Sequence, residues 1–194
     1  MGPENRYGTA EYLPDEESHL FLAWRDGDNR AIETLYRKMR VALFRLLTTM
    51  ANDPGVAEEV YQEAWITIIR NADRYEPRAR FRTFFMTIAR SRLLDAQRRI
   101  GRTVKTAPLE EEVFDIADVD TPTPEMVAIS KDMVARFEIA LRALPDVQRE
   151  VFVLKEREDY SWQDIATIIG APLETARARH RYALKKLTVA IGVI

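Results

Sequence analysis

Apolar residues recur along this chain at three- and four-residue intervals, and the intervals break at capping residues, which divides the sequence into helices. The first stripe begins near Asp15, runs through Leu20, Phe21 and Trp24, and stops at Gly27. Asp28 or Asn29 caps a longer helix to about Met50, with Ile32, Leu35, Tyr36, Met39, Leu43, Leu46 and Leu47 on one side. Asp53-Pro54 supplies a cap and a first-turn proline for a third helix to about Asn71. Its inward positions are Val56, Val60, Ala64, Trp65, Ile68 and Ile69, while Glu58, Glu59, Gln62, Glu63 and Ile66 stay outward. That outward face is either simply solvated or a docking surface for a basic partner helix, and composition does not choose between them. A fourth helix starts at about Phe81, with Phe85, Ile88, Ala89 and Leu93 turned inward.

From Thr103 to Pro124 the periodicity stops, and Pro108, Pro122 and Pro124 lie among acids and small residues, the composition of a linker. Helical spacing resumes at Glu125 through Met126, Ile129, Met133, Phe137, Ala140, Leu141 and Leu144. Pro145 ends that helix, and Asp146 caps another through Val147, Val151 and Leu154. The closing stretch, YSWQDIATIIGAPLETARARHRYALKKL, pairs a short helix with a longer one. Ser161 caps the first, with Asp164 completing a capping-box pattern, and Gly170 and Pro172 enforce the turn. The second runs from about Glu174 to Leu187, buries Ala176, Ala183 and Leu187, and presents Arg177, Arg179, Arg181, Lys185 and Lys186. Strand-like alternation appears nowhere. The expected fold is all-α: a loose tail at 1–14, a helical domain at 15–102, an acidic flexible linker at 103–124, and a second small helical domain at 125–194.

Composition narrows the chemistry. A chain of 194 residues has room for one or two domains with real cores. With no Cys there is no disulfide, thiolate metal site or cysteine nucleophile, and His19 and His180 are too far apart for a His-based site. No nucleophile–base pair, phosphate loop or ligand cluster has meaningful spacing, so no catalytic residue, metal or cofactor is expected and the chain does not read as an enzyme. No transmembrane span or signal-peptide pattern is present, which predicts a cytoplasmic protein.

Charge changes the picture more. The net charge of −2 is unevenly spread. Between Arg74 and Lys105 the bases outnumber the acids heavily, then Glu110 to Glu125 is acidic with no base, and the last helix is basic again. Two basic blocks around an acidic one indicate two nucleic-acid surfaces and a solvated connector. The terminal helix pair, its second helix basic, is the arrangement that lays a recognition helix in the DNA major groove. In the first block Tyr75, Phe81 and Phe84 interleave with Arg74, Arg78, Arg80 and Arg82, which suits single-stranded nucleic acid: cations for phosphate, rings for unstacked bases. Each ring taken alone reads as core, with Tyr75, in a polar loop, the expected exception.

Four segments together resemble one family. AEEVYQEAWITI (Ala57–Ile68), FFMTIARSRLLDAQRR (Phe84–Arg99), LPDVQREVFVL (Leu144–Leu154) and the terminal helix-turn-helix occur in the order found in extracytoplasmic-function sigma factors of bacterial RNA polymerase. GDNRAIETLY at Gly27–Tyr36 is similar to that family's opening. The resemblance implies a promoter-recognising initiation factor, with polymerase core (clamp and flap) and promoter DNA as partners and an anti-sigma protein as a candidate inhibitor. It implies core docking through Glu58, Glu59, Gln62, Glu63 and Ile66. It implies reading of the upstream −10 element, as an unpaired strand, by Arg74, Tyr75, Arg78, Arg80, Phe81, Arg82, Phe84, Arg90, Ser91, Asp95, Arg98 and Arg99. Duplex reading of the −35 element falls to Ser161, Glu174, Thr175, Arg177, Ala178, Arg179, Arg181 and Lys185. The chain departs from the family in Phe84-Phe85 for Trp-Leu, Ser91 for Asn, Glu59 for Asp and Ala176-Arg177-Ala178-Arg179 for Val-Lys-Ser-Arg.

The alternative class is a two-domain helix-turn-helix repressor or activator that works without polymerase. It accounts for the last domain but not for the basic-aromatic segment or the acidic outward face. In the family the two promoter elements lie on the order of 25 base pairs apart, roughly 85 Å at ~3.4 Å per pair. A 22-residue connector reaches at most about 79 Å. The expectation is therefore two domains tumbling independently in the free protein, unless an inhibitor or direct domain contact packs them together.

Overall fold

The computed structural model of the chain describes residues 14–99 and 131–192, so the expected tail, the linker and the resumption of helix at Glu125 lie outside the described residues. All regular structure among them is helical. Four helices form the first half: α1 (Glu16–Arg25), α2 (Asn29–Ala51), α3 (Pro54–Arg70) and α4 (Phe81–Arg99), with a 3₁₀ turn at Ala72–Arg74. Four more form the second: α5 (Lys131–Ala143), α6 (Asp146–Glu156), α7 (Trp162–Ile169) and α8 (Leu173–Ile191).

The helix ends follow the local chemistry. The Asp15, Asp28 and Asp53 carboxylates accept from backbone amides in the first turns of α1, α2 and α3. Asp15 also accepts from the Phe81 amide at 3.2 Å, so one carboxylate caps α1 and pins the start of α4. Gly27 sits at φ 113°, a conformation that stops α1 and that side chains resist. At α6 the expected cap is displaced by one residue. Pro145 holds the cap position and Asp146 is the first helical residue, its carboxylate paired with Arg149 instead of the backbone.

In the first half, α3 packs between α2 and α4, and α1 lies on α2. Phe21, Tyr75 and Phe81 form a ring cluster with centroids 5.0–5.8 Å apart. Ile69, expected inward, is 43 % exposed, because Ile68 takes the inward slot and the next residue lies about 100° around the helix. In the second half α8 packs on α5, α6 and α7.

The two halves touch. α4 packs against α7, and α2 against α6. Of the two arrangements the sequence left open, direct domain contact is the one the structure adopts. It explains why α4 buries Thr83, Met86 and Gln97 beyond its expected stripe, and why α6 is buried at every position from Val147 to Leu154.

Candidate polymerase and nucleic-acid interfaces

The outward face of α3 is built as the sequence predicts. Glu58, Glu59 and Gln62 are exposed, Glu63 is half-buried, and Ile66 is 47 % exposed, a large apolar side chain among acids. Gln62 Nε2 donates to Glu58 Oε1 at 3.4 Å. Arg99 of α4 reaches over to Glu59 at 2.8 Å and Glu63 at 3.7 Å. Beside this face a groove of about 730 Å³ runs between α2 and α3, lined by Tyr36, Arg40, Val41, Phe44, Arg45, Thr48, Thr49, Glu58, Tyr61 and Gln62. Tyr61 lines it, and among the described residues neither its buried hydroxyl nor the buried Trp65 indole N–H meets a hydrogen-bond partner. Burial pushes the Tyr61 phenol up to about 12. A groove with apolar Tyr36, Val41, Phe44 and Tyr61, edged by Glu58 on the α3 side and Arg40 and Arg45 on the α2 side, suits an amphipathic helix of mixed charge.

The first basic block divides into exposed and buried members. Arg74, Arg78, Arg80, Ser91, Arg98 and Arg99 are exposed, Arg78 pairing with Glu76 and Arg98 with Asp95 at 3.0 Å. Tyr75 is a correction. Tyr75 is only 4 % exposed, its hydroxyl 2.9 Å from the buried Ser18 hydroxyl and its ring against Phe21, Phe81 and Phe84. Phe81 is fully buried and Phe84 half-buried against both. The loop before α4 is polar in sequence, yet Tyr75 folds back under α1 because its ring completes the cluster and its hydroxyl finds Ser18. In this arrangement Tyr75 and Phe81 offer no face to a base. Arg82 and Arg90 also leave solvent, Arg82 toward Glu17 (3.6 Å) and Glu158 (3.9 Å), and Arg90 onto Glu150 at 2.5 Å.

The helix-turn-helix forms as expected. Ser161 Oγ accepts from the Asp164 amide at 3.1 Å and donates to the Asp164 carboxylate at 2.6 Å. Gly170 occupies the left-handed region at φ 61° and closes α7, and Pro172 precedes α8. Ala176, Ala183 and Leu187 are buried. Glu174, Arg177, Arg181 and Lys185 are exposed, with Arg177 paired to Glu174 at 2.9 Å, while Thr175 and Ala178 are half-buried. Arg179, expected on the outward face, is half-buried near Glu150 and Arg90, and burial lowers its pKa. The sequence reading missed Glu17, Glu150 and Glu158 as partners of the candidate basic residues Arg82 and Arg90, and Arg149 and Asp164 as residues that bond across the two halves. QRE at 148–150 reads as an ordinary polar stretch of α6, yet all three residues are buried, with Arg149 and Glu150 bonded to groups of the other half.

Against known families, the model for sigma-70 region 2 matches residues 35–103 and that for sigma-70 region 4 matches residues 136–187. The RNA polymerase sigma factor CarQ of Myxococcus xanthus is 30% identical over 172 residues, covering 87% of this chain and 94% of that protein. The ECF RNA polymerase sigma factor SigK of Mycolicibacterium vanbaalenii is 28% identical over 192 residues, 96% of each chain. The chain belongs to the extracytoplasmic-function sigma factors of the sigma-70 family. Two solved structures share the fold. RpoE in complex with the anti-sigma factor NepR from Bartonella quintana superimposes with a TM-score of 0.63 at 23% identity, covering 84% of this chain and 97% of that one. CnrH in complex with the cytosolic domain of CnrY gives 0.65 at 20% identity, covering 92% and 99%. In this sigma factor most of α2 and all of α3 and α4 fall within the region 2 match, and most of α5, all of α6 and α7 and most of α8 within the region 4 match. Among the described residues no helix is long and apolar enough to cross a membrane, and no cluster of His, Cys, Asp or Glu could hold a metal ion.

Proposed function

We propose that this sigma factor binds core RNA polymerase through the outward face of α3 and the adjoining groove, and directs it to promoters by reading the −10 and −35 elements. The observation that carries the reading is the presence, in one chain, of a helix-turn-helix and a separate acidic face with exposed Ile66 beside an apolar groove. A repressor acting alone needs the first and has no use for the second. Glu58, Glu59, Gln62, Glu63 and Ile66 make the core contact. The exposed Arg74, Arg78, Arg80, Ser91, Arg98 and Arg99 engage the −10 strand, and Arg82, Phe84, Arg90 and Asp95 join them once the domains separate. Thr175, Arg177, Ala178, Arg179, Arg181 and Lys185 face the −35 duplex, with Ser161 and Glu174 at the helix starts. The protein makes no covalent change in its partners and acts wherever polymerase does, in the cytoplasm. An anti-sigma protein is a fitting inhibitor.

Run-off transcription with purified core polymerase tests the reading: a specific transcript appears only when the chain is added. A gel shift with and without core polymerase separates it from a repressor, which binds its operator unaided. Specific DNA binding by the chain alone, with no transcript in the presence of core, would replace the sigma-factor reading with the repressor.

A further inference from the structure

One face of α1 serves a single loop. Asp15, Ser18, Phe21 and Arg25 follow one another at three- and four-residue spacing, which puts them on one side of the helix. All four bond or pack to the two ends of residues 75–81, the stretch that joins the 3₁₀ turn to α4. At the first end, Arg25 Nη1 donates to the Tyr75 carbonyl at 3.2 Å, and the Tyr75 and Ser18 hydroxyls lie 2.9 Å apart. Ser18 Oγ gives its own hydrogen to Asp15 Oδ1 at 2.5 Å, so the phenol is the donor to Ser18. At the second end the Asp15 carboxylate accepts from the Phe81 amide at 3.2 Å. One line of hydrogen bonds therefore leaves the loop at Tyr75 and returns to it at Phe81. Burial pushes the Tyr75 phenol up, against the pull of the Ser18 bond and with the Asp15 charge adding to the rise, so it keeps the proton it donates. Phe21 packs between the two ends, its ring 5.0 Å from that of Tyr75 and 5.1 Å from that of Phe81.

Between these ends lie Glu76, Pro77, Arg78, Ala79 and Arg80, with Arg74 just before them, and all three arginines are exposed. Ring packing by itself would keep residue 75 inside, and a phenylalanine there would pack as well. A buried phenol and serine are groups that a core bears only when each is bonded. What the bonds add to packing is direction, since they fix both ends of the loop in distance and angle. A loop held at both ends meets a DNA strand already shaped, so binding does not have to order it. A shaped loop also rejects a base that misfits, where a loose one would adapt to it.

We infer that α1 sets selectivity at the −10 element: Asp15, Ser18, Arg25 and Tyr75 are positioning residues that hold Arg74, Arg78 and Arg80 in a base-discriminating shape, a role that rests on the −10 reading of those arginines. Tyr75 acts as the anchor of the loop and not as a stacking platform. The −10 machinery then extends to α1, which precedes the region 2 match beginning at residue 35.

The test uses the full chain assembled with core polymerase. The probes are a promoter fragment that yields a run-off transcript and copies of it with one base pair replaced in the −10 or the −35 element. The readout is the ratio of transcript from the original fragment to that from each copy. That ratio does not depend on how much of a variant is folded, so a loss of stability alone leaves it unmoved. Tyr75→Phe, which keeps the ring, should lower the −10 ratio at one or more positions by at least about fivefold, the discrimination of one base contact, with the −35 ratio held within about twofold. Ser18→Ala and Arg25→Gln should do the same from the α1 side. Arg78→Ala with Arg80→Ala is the reference for the loop itself and should lower the same −10 ratio. If the arginine variant lowers it while the three anchor variants do not, or if the anchor variants lower the −10 and −35 ratios alike, the positioning role is overturned and the −10 reading stands. If the arginine variant leaves the ratio unchanged, or the wild-type holoenzyme is silent, the −10 reading fails and the role of α1 falls with it.

Discussion

Replacing Arg149 with alanine removes the side chain that joins the most separate pieces of backbone. Its guanidinium donates to Leu144 O at 2.8 Å, Thr49 O and Met50 O at 3.1 Å and Arg142 O at 3.3 Å, and it pairs with Asp146. A hydrogen bond to a charged group contributes about 1.5–3 kcal/mol net, but five contacts through one guanidinium do not add. Breaking a buried pair by removing one partner costs about 3–5 kcal/mol, and that range fits here because Met50 is buried while Asp146 can regain water. Arg149→Ala should therefore destabilise the chain by about 3–5 kcal/mol, lowering Tm by about 6–20 °C for a protein of this size. Urea unfolding followed at 222 nm measures it, and Arg142→Ala, an exposed neighbour, is the control expected to stay within about 0.5 kcal/mol. Arg149→Lys should fall between, since an ammonium cannot span both domains' carbonyls with the guanidinium's planar fork. A loss below about 1 kcal/mol for Arg149→Ala would refute the reasoning, because the carbonyls would then be satisfied without it.

Arg177→Ala should weaken −35-dependent transcription by about 1–3 kcal/mol if it removes a base contact, or lower the salt slope of promoter binding by about one if it removes a phosphate contact; no change in either measurement sinks the assignment. Gln62→Lys with Glu63→Lys should reduce pull-down of core polymerase while leaving stability within about 0.5 kcal/mol, and undiminished capture would make the α3 face merely solvated. Gly170→Ala should cost about 1–2 kcal/mol in a thermal melt purely through the left-handed backbone, since an added Cβ would meet nothing within 4 Å. Tyr61 is held protonated by burial up to about 12, so the unfolded chain loses that proton first and stability should fall as pH rises from the ordinary tyrosine range near 10 toward 12. Absorbance at 295 nm should show a late phenol that Tyr61→Phe removes; an unchanged titration would contradict the burial argument.

Most of the helical skeleton was legible in the sequence because its signals are local. Asp15, Asp28, Asp53 and Ser161 cap helices through amides two or three residues away, and Gly27 and Gly170 end them by backbone conformation alone. The α3 face was equally legible: Glu58, Glu59, Gln62, Glu63 and Ile66 are outward because Val60, Ala64 and Ile68 are inward, and a helix has no freedom to do otherwise. Family membership was legible for a different reason, namely several short motifs agreeing in order.

Tertiary structure alone decided the fate of polar side chains whose partners are remote in sequence. Tyr75 sits in a stretch that reads as solvated loop, yet Ser18, 57 residues away, and the rings of α1 and α4 bury it. Arg90 meets Glu150 across 60 residues, and Arg149 meets Thr49 across 100. Periodicity can say that a residue lies off a helix's apolar stripe, but not whether water or another domain covers it. Charge pattern can say that a surface is basic, but not that the same chain brings a carboxylate to it. Both depend on which of two compatible surfaces are brought together, a choice made by shape and desolvation over the whole molecule rather than by any short run of residues.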